Sequence, residues 1–379
     1  MAEGSMPFIM DGHIHMINRQ FYLGGDISDK YSDGQVDLPR MRKGGVSAIF
    51  FSIYTSDDYY AGRFEWKQTM ILMDLALRQL EKHKDQIELA PTATDIERVY
   101  KSGKIAAFLH LEGAFDLDGD LGLLRILHRL GVQSLTLVAH NSTNHFADSC
   151  GSHGKWGGIT PHGVEVVHEM NRLGMLIDLA HASDQTIHQV VEASSDPVLY
   201  SHGGSRFFVN IDRNITDEAA KAVAAKGGLI GLQFGNSMNN PKYAEWLMKS
   251  RKEHPAAPMA EPASPFTNIE AVHEAVAKLY PPEPEPMPED LRMPVGQLVS
   301  VLDHWIDVVG EDYVSLGSDL DGWPALAKGM RDIGDYPLLI VAMREYGWSE
   351  ERIRKVAGLN LLRLIRQVTE RRLAQPFVL

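Results

Sequence analysis

Cysteine is almost missing from this chain. A single Cys150 in 379 residues excludes an internal disulfide framework and any metal centre built on several thiolates, so histidines and carboxylates remain as the available ligands. No run of about 18 uninterrupted apolar residues occurs, and no transmembrane helix is expected. The opening Met1-Ala2-Glu3-Gly4-Ser5-Met6 has neither a basic stretch nor an apolar segment, so no secretory signal and a cytoplasmic location are expected. Positive charge is in deficit, with 37 Lys and Arg against 50 Asp and Glu. The resulting formal charge of -13 repels phosphates and argues against nucleic acid or an anionic membrane as a general partner.

What the chain does have is core-forming material and a particular placement of histidines. The apolar fraction of 44% supports a large core. The stretch Pro7-Phe8-Ile9-Met10-Asp11-Gly12-His13-Ile14-His15 reads as a buried strand ending in two histidines one residue apart. Residues i and i+2 of a strand point to the same side, so His13 and His15 can present imidazoles to one point.

The same design recurs. Ile105–Leu111 ends in Glu112, Ser134–Ala139 in His140, Met175–Ala180 in His181, Val198–Ser201 in His202, and Tyr313–Ser318 in Asp319. With Val46–Tyr54 and Leu229–Phe234 these make eight apolar runs, alternating with helical segments such as Phe64–Lys82, His162–Leu173 and Thr216–Ala225. Continuous apolar strands alternating with helices imply a parallel sheet covered on both faces. A (β/α)8 TIM-type barrel in one 379-residue domain is predicted, with a doubly wound open sheet as the competing arrangement. The proline clusters between about residues 239 and 294, flanking the helix-like Ile269–Leu279, read as an insertion after the seventh strand.

In such a barrel the C-terminal strand ends meet over the mouth. Five ligands, His13, His15, Glu112, His181 and His202, are too many for one tetrahedral ion but suit two ions sharing the Glu112 carboxylate. A hydroxide bridging the ions would attack the substrate, and Asp319 is placed to move the proton. His110 shares a strand side with Glu112 and is expected to support the centre rather than join it.

These segments resemble the renal or membrane dipeptidase family of binuclear zinc peptidases, within the amidohydrolase superfamily. The resemblance rests on Asp11-Gly12-His13, His110-Leu111-Glu112-Gly113, Leu135 to Asn141, Ile177-Asp178-Leu179-Ala180-His181, Tyr200-Ser201-His202, Arg213-Asn214 and Gly317-Ser318-Asp319-Leu320-Asp321-Gly322, in family order. It implies a metal-dependent hydrolase of the amide bond of small dipeptides, with two divalent ions, zinc in the family. His13, His15, Glu112, His181 and His202 would hold the ions, and His140 would stabilise the oxyanion. Arg213, with Asn214 and His140, would bind the substrate and its carboxylate, and Asp319 would serve as general acid and base. Family members often pair, so a homodimer is an expectation by analogy.

Two departures stand out. The family usually has an aspartate where this chain has His15, and its carboxylate-binding tyrosine has no counterpart in Gly235-Asn236-Ser237-Met238. They keep open a second reading, a hydrolase of another small amide, acylated amino acid or lactone. A third reading, a metal-bound scaffold without catalysis, gives Asp319 no chemical purpose.

Overall fold

The computed structural model describes residues 6–56, 60, 64–113, 120–138, 144, 146–151, 154–253, 268–278 and 288–370. The apolar runs become strands β1 (Ile9–Ile14), β2 (Val46–Tyr54), β3 (Ile87–Leu89), β4 (Ile105–Glu112), β5 (Ser134–Thr136), β6 (Leu176–Asp178), β7 (Leu199–Gly203), β8 (Leu229–Leu232) and β9 (Val314–Leu316). Eight of them pair in parallel in the order β1-β2-β4-β5-β6-β7-β8-β9. The ends of this path meet: Ile14 bridges Leu320, the His15 N–H donates to Leu320 O at 2.8 Å, and the Asp319 N–H donates to His13 O at 2.9 Å. The chain is thus a nearly closed (β/α)8 barrel of the TIM type, as the eight apolar runs predict.

Side-chain alternation explains how the barrel is filled. In β4, Ala106 and Phe108 face inward with Met10, Ala48, Phe50, Leu176, Leu199 and Leu229, while Ala107, Leu109 and Leu111 pack outward against the helices. Continuing the period of two, His110 and Glu112 face inward above that apolar layer. The helix Asn360–Thr369 closes the opposite end, adding Leu361, Leu364, Ile365 and Val368 to the interior cluster. A polar residue at a strand's C-terminal end therefore has only the mouth to point into.

Three elements escape the sequence patterns. Strand β3 is only three residues long and lies beside the N-terminal half of β4, while β5 takes the C-terminal half. The helix Met16–Leu23 reads as a polar segment because it buries Asn18, Arg19 and Gln20. Their partners include Tyr54 O for Asn18 Nδ2 and Asp33 for Arg19 Nη2. Finally, Glu350–Arg354 and Asn360–Thr369 run on through a π-helical turn at Lys355–Leu359 instead of breaking at Gly358. A Cβ at Gly358 would press on Phe8 and the Met10 nitrogen, so this glycine provides close approach to β1 rather than a helix stop.

Between β8 and β9 the described residues form the helices Asn236–Asn239, Pro241–Glu253, Ile269–Ala277 and Val295–Val309. Ile269, Val272 and Val276 pack on Tyr60 and Phe64, and His273 Nε2 lies 2.7 Å from Gln68 Oε1. Among the described residues no helix is long and apolar enough to cross a membrane.

The barrel seam is locked by Asp11. Its Oδ1 accepts the N–H groups of His13 and Ser318 at 3.1 and 2.9 Å, and its Oδ2 accepts the hydroxyls of Ser318 and Tyr336 at 2.5 and 2.7 Å. One buried carboxylate thus ties the first strand to the segment after the last. Charge-assisted hydrogen bonds of this kind contribute about 1.5–3 kcal/mol each. Tyr336→Phe removes one donor without touching the mouth, and is expected to lower unfolding stability in urea by about 1–3 kcal/mol. An unchanged midpoint would show that the seam does not depend on this bond.

Candidate metal centre

Glu112 stands at the middle of the mouth, 1% exposed. Its Oε2 lies 3.4 Å from both His13 Nε2 and His15 Nε2. Its Oε1 lies 3.0 Å from His181 Nε2 and 3.7 Å from His202 Nε2. The two nitrogens within each pair are 3.1 Å apart, His13 to His15 and His181 to His202. One carboxylate therefore turns one oxygen to each of two histidine pairs.

The local backbone explains the convergence. His13 projects from within β1, and His15 sits one residue past its end, at φ -113 and ψ 26, as the residue before the helix Met16–Leu23. His181 follows β6 with φ +66, and Asp319 follows β9 with φ +63. Left-handed backbone is unusual for residues with a side chain and costs about 1–2 kcal/mol. Such strain at two polar mouth residues marks a place where side-chain direction was kept at the expense of stability. The His13 and His202 rings stack at 3.8 Å between centroids, which fixes both imidazole planes.

The electrostatics follow from burial and neighbours. Burial pushes Glu112 up, but His13 and His15 outweigh it and hold its carboxyl well below the usual range. Burial pulls His15 down, yet Glu112 and Asp319 overcome this and raise it. His202 has mainly burial, then His13 and Arg213, acting on it, and lies well below the usual imidazole range. His110 is lowered to about 4 by burial and sits between the Ser134 and Thr136 hydroxyls, at 3.0 Å from each.

The donor set fits divalent cations. Two nitrogens about 2.0–2.1 Å from one tetrahedral ion stand about 3.3 Å apart, close to the separation inside each pair. Glu112 Oε2 is buried and makes no hydrogen bond among the described residues, as expected of an oxygen reserved for a cation. Among the described residues the groupings that could hold an ion are His13 with His15 and Glu112, Glu112 with His181 and His202, and His13 with His202 and Asp319.

Asp319 is the most open member, its side chain 19% exposed against 9% for His15. Its Oδ1 lies 3.1 Å from His15 Nε2, and its Oδ2 accepts the Gln233 amide N–H at 3.1 Å. Burial raises its carboxyl, but His15 and His13 more than compensate and leave it lowered. Asp321, two residues on, instead organises the turn: its Oδ1 accepts the Gln35 N–H and its own N–H donates to Gln35 Oε1 at 3.0 Å. Burial pushes its carboxyl up to about 7.

Arg213 lies against the second histidine pair. Its Nη1 donates to the Tyr200 hydroxyl at 3.0 Å and its Nη2 to His202 O at 2.9 Å, with the same Nη2 at 3.1 Å from His181 Nε2. An ion and this N–H compete for one lone pair, so occupancy of that pair and the position of Arg213 are linked. Arg213 Nε is buried without a hydrogen bond among the described residues. The Asn214 amide is taken up by backbone, accepting from Gly204 N–H at 3.0 Å and donating to Val209 O and Met238 O at 2.8 and 2.9 Å. It braces the loop that carries Arg213. His140 lies outside the described residues.

Gln233 is a mouth residue that motif reading passes over. It directly follows β8, where the sequence signal is a polar side chain between Leu232 and Phe234. Its amide joins Asp319 to the Gly235 N–H, which it accepts at 2.5 Å. A Cβ at Gly235 would meet that amide 2.7 Å away and Pro324 at 3.2 Å, so Gln233 and Pro324 fill the space a side chain there would need.

The family profile for membrane dipeptidases, peptidase family M19, matches residues 5–376. The chain is 30% identical over 344 residues to dipeptidase verJ of Clonostachys rogersoniana, covering 88% of this chain and 76% of that one. It is 29% identical over 379 residues to dipeptidase tcpJ of Claviceps purpurea (strain 20.1), covering 95% and 77% respectively. The structure of the probable dipeptidase PvdM from Pseudomonas aeruginosa shares the fold at TM-score 0.80 and 22% identity, with 96% of each chain covered. A metallo peptidase from Rhodobacter sphaeroides, liganded with a phosphinate mimic of the dipeptide L-Ala-D-Ala, does so at TM-score 0.76 and 24% identity, with 96% of this chain and 100% of that chain covered. By this match along nearly its whole length, the chain belongs to the membrane dipeptidase family, peptidase family M19.

Proposed function

We propose that the protein is a dipeptidase that hydrolyses the amide bond of a small dipeptide with the help of two divalent ions, zinc being the family's metal. The observation that carries this reading is the Glu112 carboxylate, whose two oxygens face two separate histidine pairs. His13 and His15 with Oε2 would hold one ion, and His181 and His202 with Oε1 the other. Bound there, divalent ions supply Lewis acidity, acidifying water toward a pKa of about 7 and polarising the scissile carbonyl.

The remaining work falls to the chain. Asp319, ionised, open to the mouth and oriented by His15 and Gln233, takes the proton from the attacking water and delivers it to the amide nitrogen as the C–N bond breaks. The products are a carboxylic acid and an amine, with one water consumed. Arg213 offers a guanidinium to the substrate carboxylate, and Asn214 supports it through the loop. The oxyanion role of His140 rests on the resemblance alone.

One observation favours the second reading, a related small amide, acylated amino acid or lactone. The stretch after β8 where the family carries a carboxylate-binding tyrosine, Gly235-Asn236-Ser237-Met238, holds no such side chain. A panel of L,L- and L,D-dipeptides separates the two readings. Turnover that is lost on chelation and restored by zinc is expected for some of them, with Arg213→Ala lowering kcat/KM more than tenfold, or about 1.4 kcal/mol. A smaller loss would mean that no free carboxylate is clamped.

Asp319→Asn is expected to lower kcat about 10²–10⁴-fold with unchanged metal content. An unchanged rate would remove the assigned proton transfer. Acid should strip the two ions in order. His15 is raised and His202 lowered, so as pH falls His15 takes its proton first, and an ion needs neutral imidazoles. The ion on His13 and His15 should therefore leave at higher pH than the ion on His181 and His202. Metal-to-protein ratios after dialysis at descending pH should show two steps, and one concerted step would contradict the assignment.

A further inference from the structure

Two residues in the histidine-bearing segments take no part in that reaction: Asp178, three before His181, and Ser201, immediately before His202. Both are buried, at 0% and 1% exposure. Asp178 ends β6 and faces β7. Its Oδ1 accepts the N–H groups of Ala180 and Ser201 at 3.0 and 2.9 Å. Its Oδ2 accepts the hydroxyls of Ser201 and Thr136 at 2.6 and 2.8 Å.

A hydroxyl has one proton to give. With both of these protons spent on Asp178, Ser201 Oγ and Thr136 Oγ1 can only accept from their other neighbours. Ser201 Oγ lies 2.8 Å from His202 Nδ1, and Thr136 Oγ1 lies 3.0 Å from His110 Nε2. His202 must then carry its proton on Nδ1, which leaves the Nε2 lone pair facing Glu112 and His181. His110 must carry its proton on Nε2, and its Nδ1 accepts the Ser134 hydroxyl 3.0 Å away. The opposite tautomer of His202 would require Ser201 to donate to it, leaving two oxygens 2.6 Å apart with no hydrogen between them.

We propose that Asp178, acting through Ser201 and Thr136, is a positioning residue that sets His202 and His110 in opposite tautomers and so keeps the His202 Nε2 lone pair available to a cation. Its use in catalysis rests on the metal-centre reading above, whereas the tautomers themselves require no ion. The backbone supports the same arrangement. Gly231 and Gly317 have no side chain to displace the Ser201 carbonyl, against which a Cβ at either position would collide. The Ala180 N–H held by Asp178 lies within the turn that brings His181 to its left-handed conformation. Outer hydrogen bonds of this kind fix ring orientation and tautomer at histidine metal sites, and losing one costs about 10–100-fold in metal affinity.

The test reads the tautomers directly in the full chain. Long-range proton–nitrogen NMR of metal-free protein labelled with ¹⁵N-histidine, with His202 assigned by the signal lost in His202→Gln, should show His202 protonated on Nδ1 alone. Ser201→Ala should turn His202 into a tautomer mixture, leave His110 unchanged, and weaken zinc binding about 10–100-fold in competition with a chromophoric chelator. Asp178→Asn should disturb both histidines. Wild-type His202 protonated on Nε2, or a Ser201→Ala protein with the His202 tautomer unaltered, would overturn the proposal. A wild-type protein that shows the expected tautomer yet binds no zinc would uphold it and overturn the metal reading instead.

Discussion

A carboxylate buried among four imidazoles is the constraint on which the rest of this structure turns. Taking an ionised carboxylate out of water costs several kcal/mol unless charge or hydrogen bonds return what solvent supplied. Glu112 is surrounded by Nε2 atoms of His13, His15, His181 and His202, so its compensation must come from those rings or from cations they hold. Neutral imidazoles offer an ion lone pairs, and protonated ones offer the carboxylate positive charge. Two kinds of compensation are thus open to the cluster, protons on the rings or cations between them, and the two would compete.

Delivering four rings to one carboxylate is a task for the barrel. Alternation along β4 turns Glu112 inward two residues above His110 and four above Phe108, so the apolar plug below sets the height of the polar layer. The seam between β1 and the segment after β9 then places Asp319 beside His15, because the Asp319 N–H bonds to His13 O. Asp11 holds that seam with four donors on one buried carboxylate. Closure of the fold and assembly of the site are in this respect one event: the contacts that complete the cylinder also bring Asp319 to the His13–His15 pair.

Two residues set the surroundings of Asp319. His15 contributes a ring rather than a carboxylate, which leaves Glu112 as the carboxylate of the grouping it forms with His13 and His15. Asp319, 3.1 Å from His15, would feel the positive field of an ion held there directly. Gln233 reaches across from the Gly235 N–H to Asp319 with its amide. On the other side of the mouth the Arg213 guanidinium is shared among Tyr200, the His202 carbonyl and His181.

The strand pattern and the ligand inventory were written in the residues themselves. Apolar runs ending in His13, Glu112, His181, His202 and Asp319 imply a barrel and its mouth, since period and polarity are local properties. What local pattern could not supply was anything that depends on a partner far along the chain. Met16–Leu23 reads as polar because its buried Asn18 and Arg19 find partners outside the helix, at Tyr54 and Asp33. Strand β3 is too short to show a period, and Gly358 stops no helix because its role is contact with Phe8 and Met10. Asn214 shares a motif with Arg213, yet only the folded loop shows its amide spent on Gly204, Val209 and Met238. Sequence alone determined which chemical groups the mouth would hold. Tertiary structure decided which oxygen of Glu112 faces which pair, how Gln233 and Asp178 direct their neighbours, and which nitrogen of His202 is left bare, because hydrogen-bond direction exists only once donor and acceptor have met.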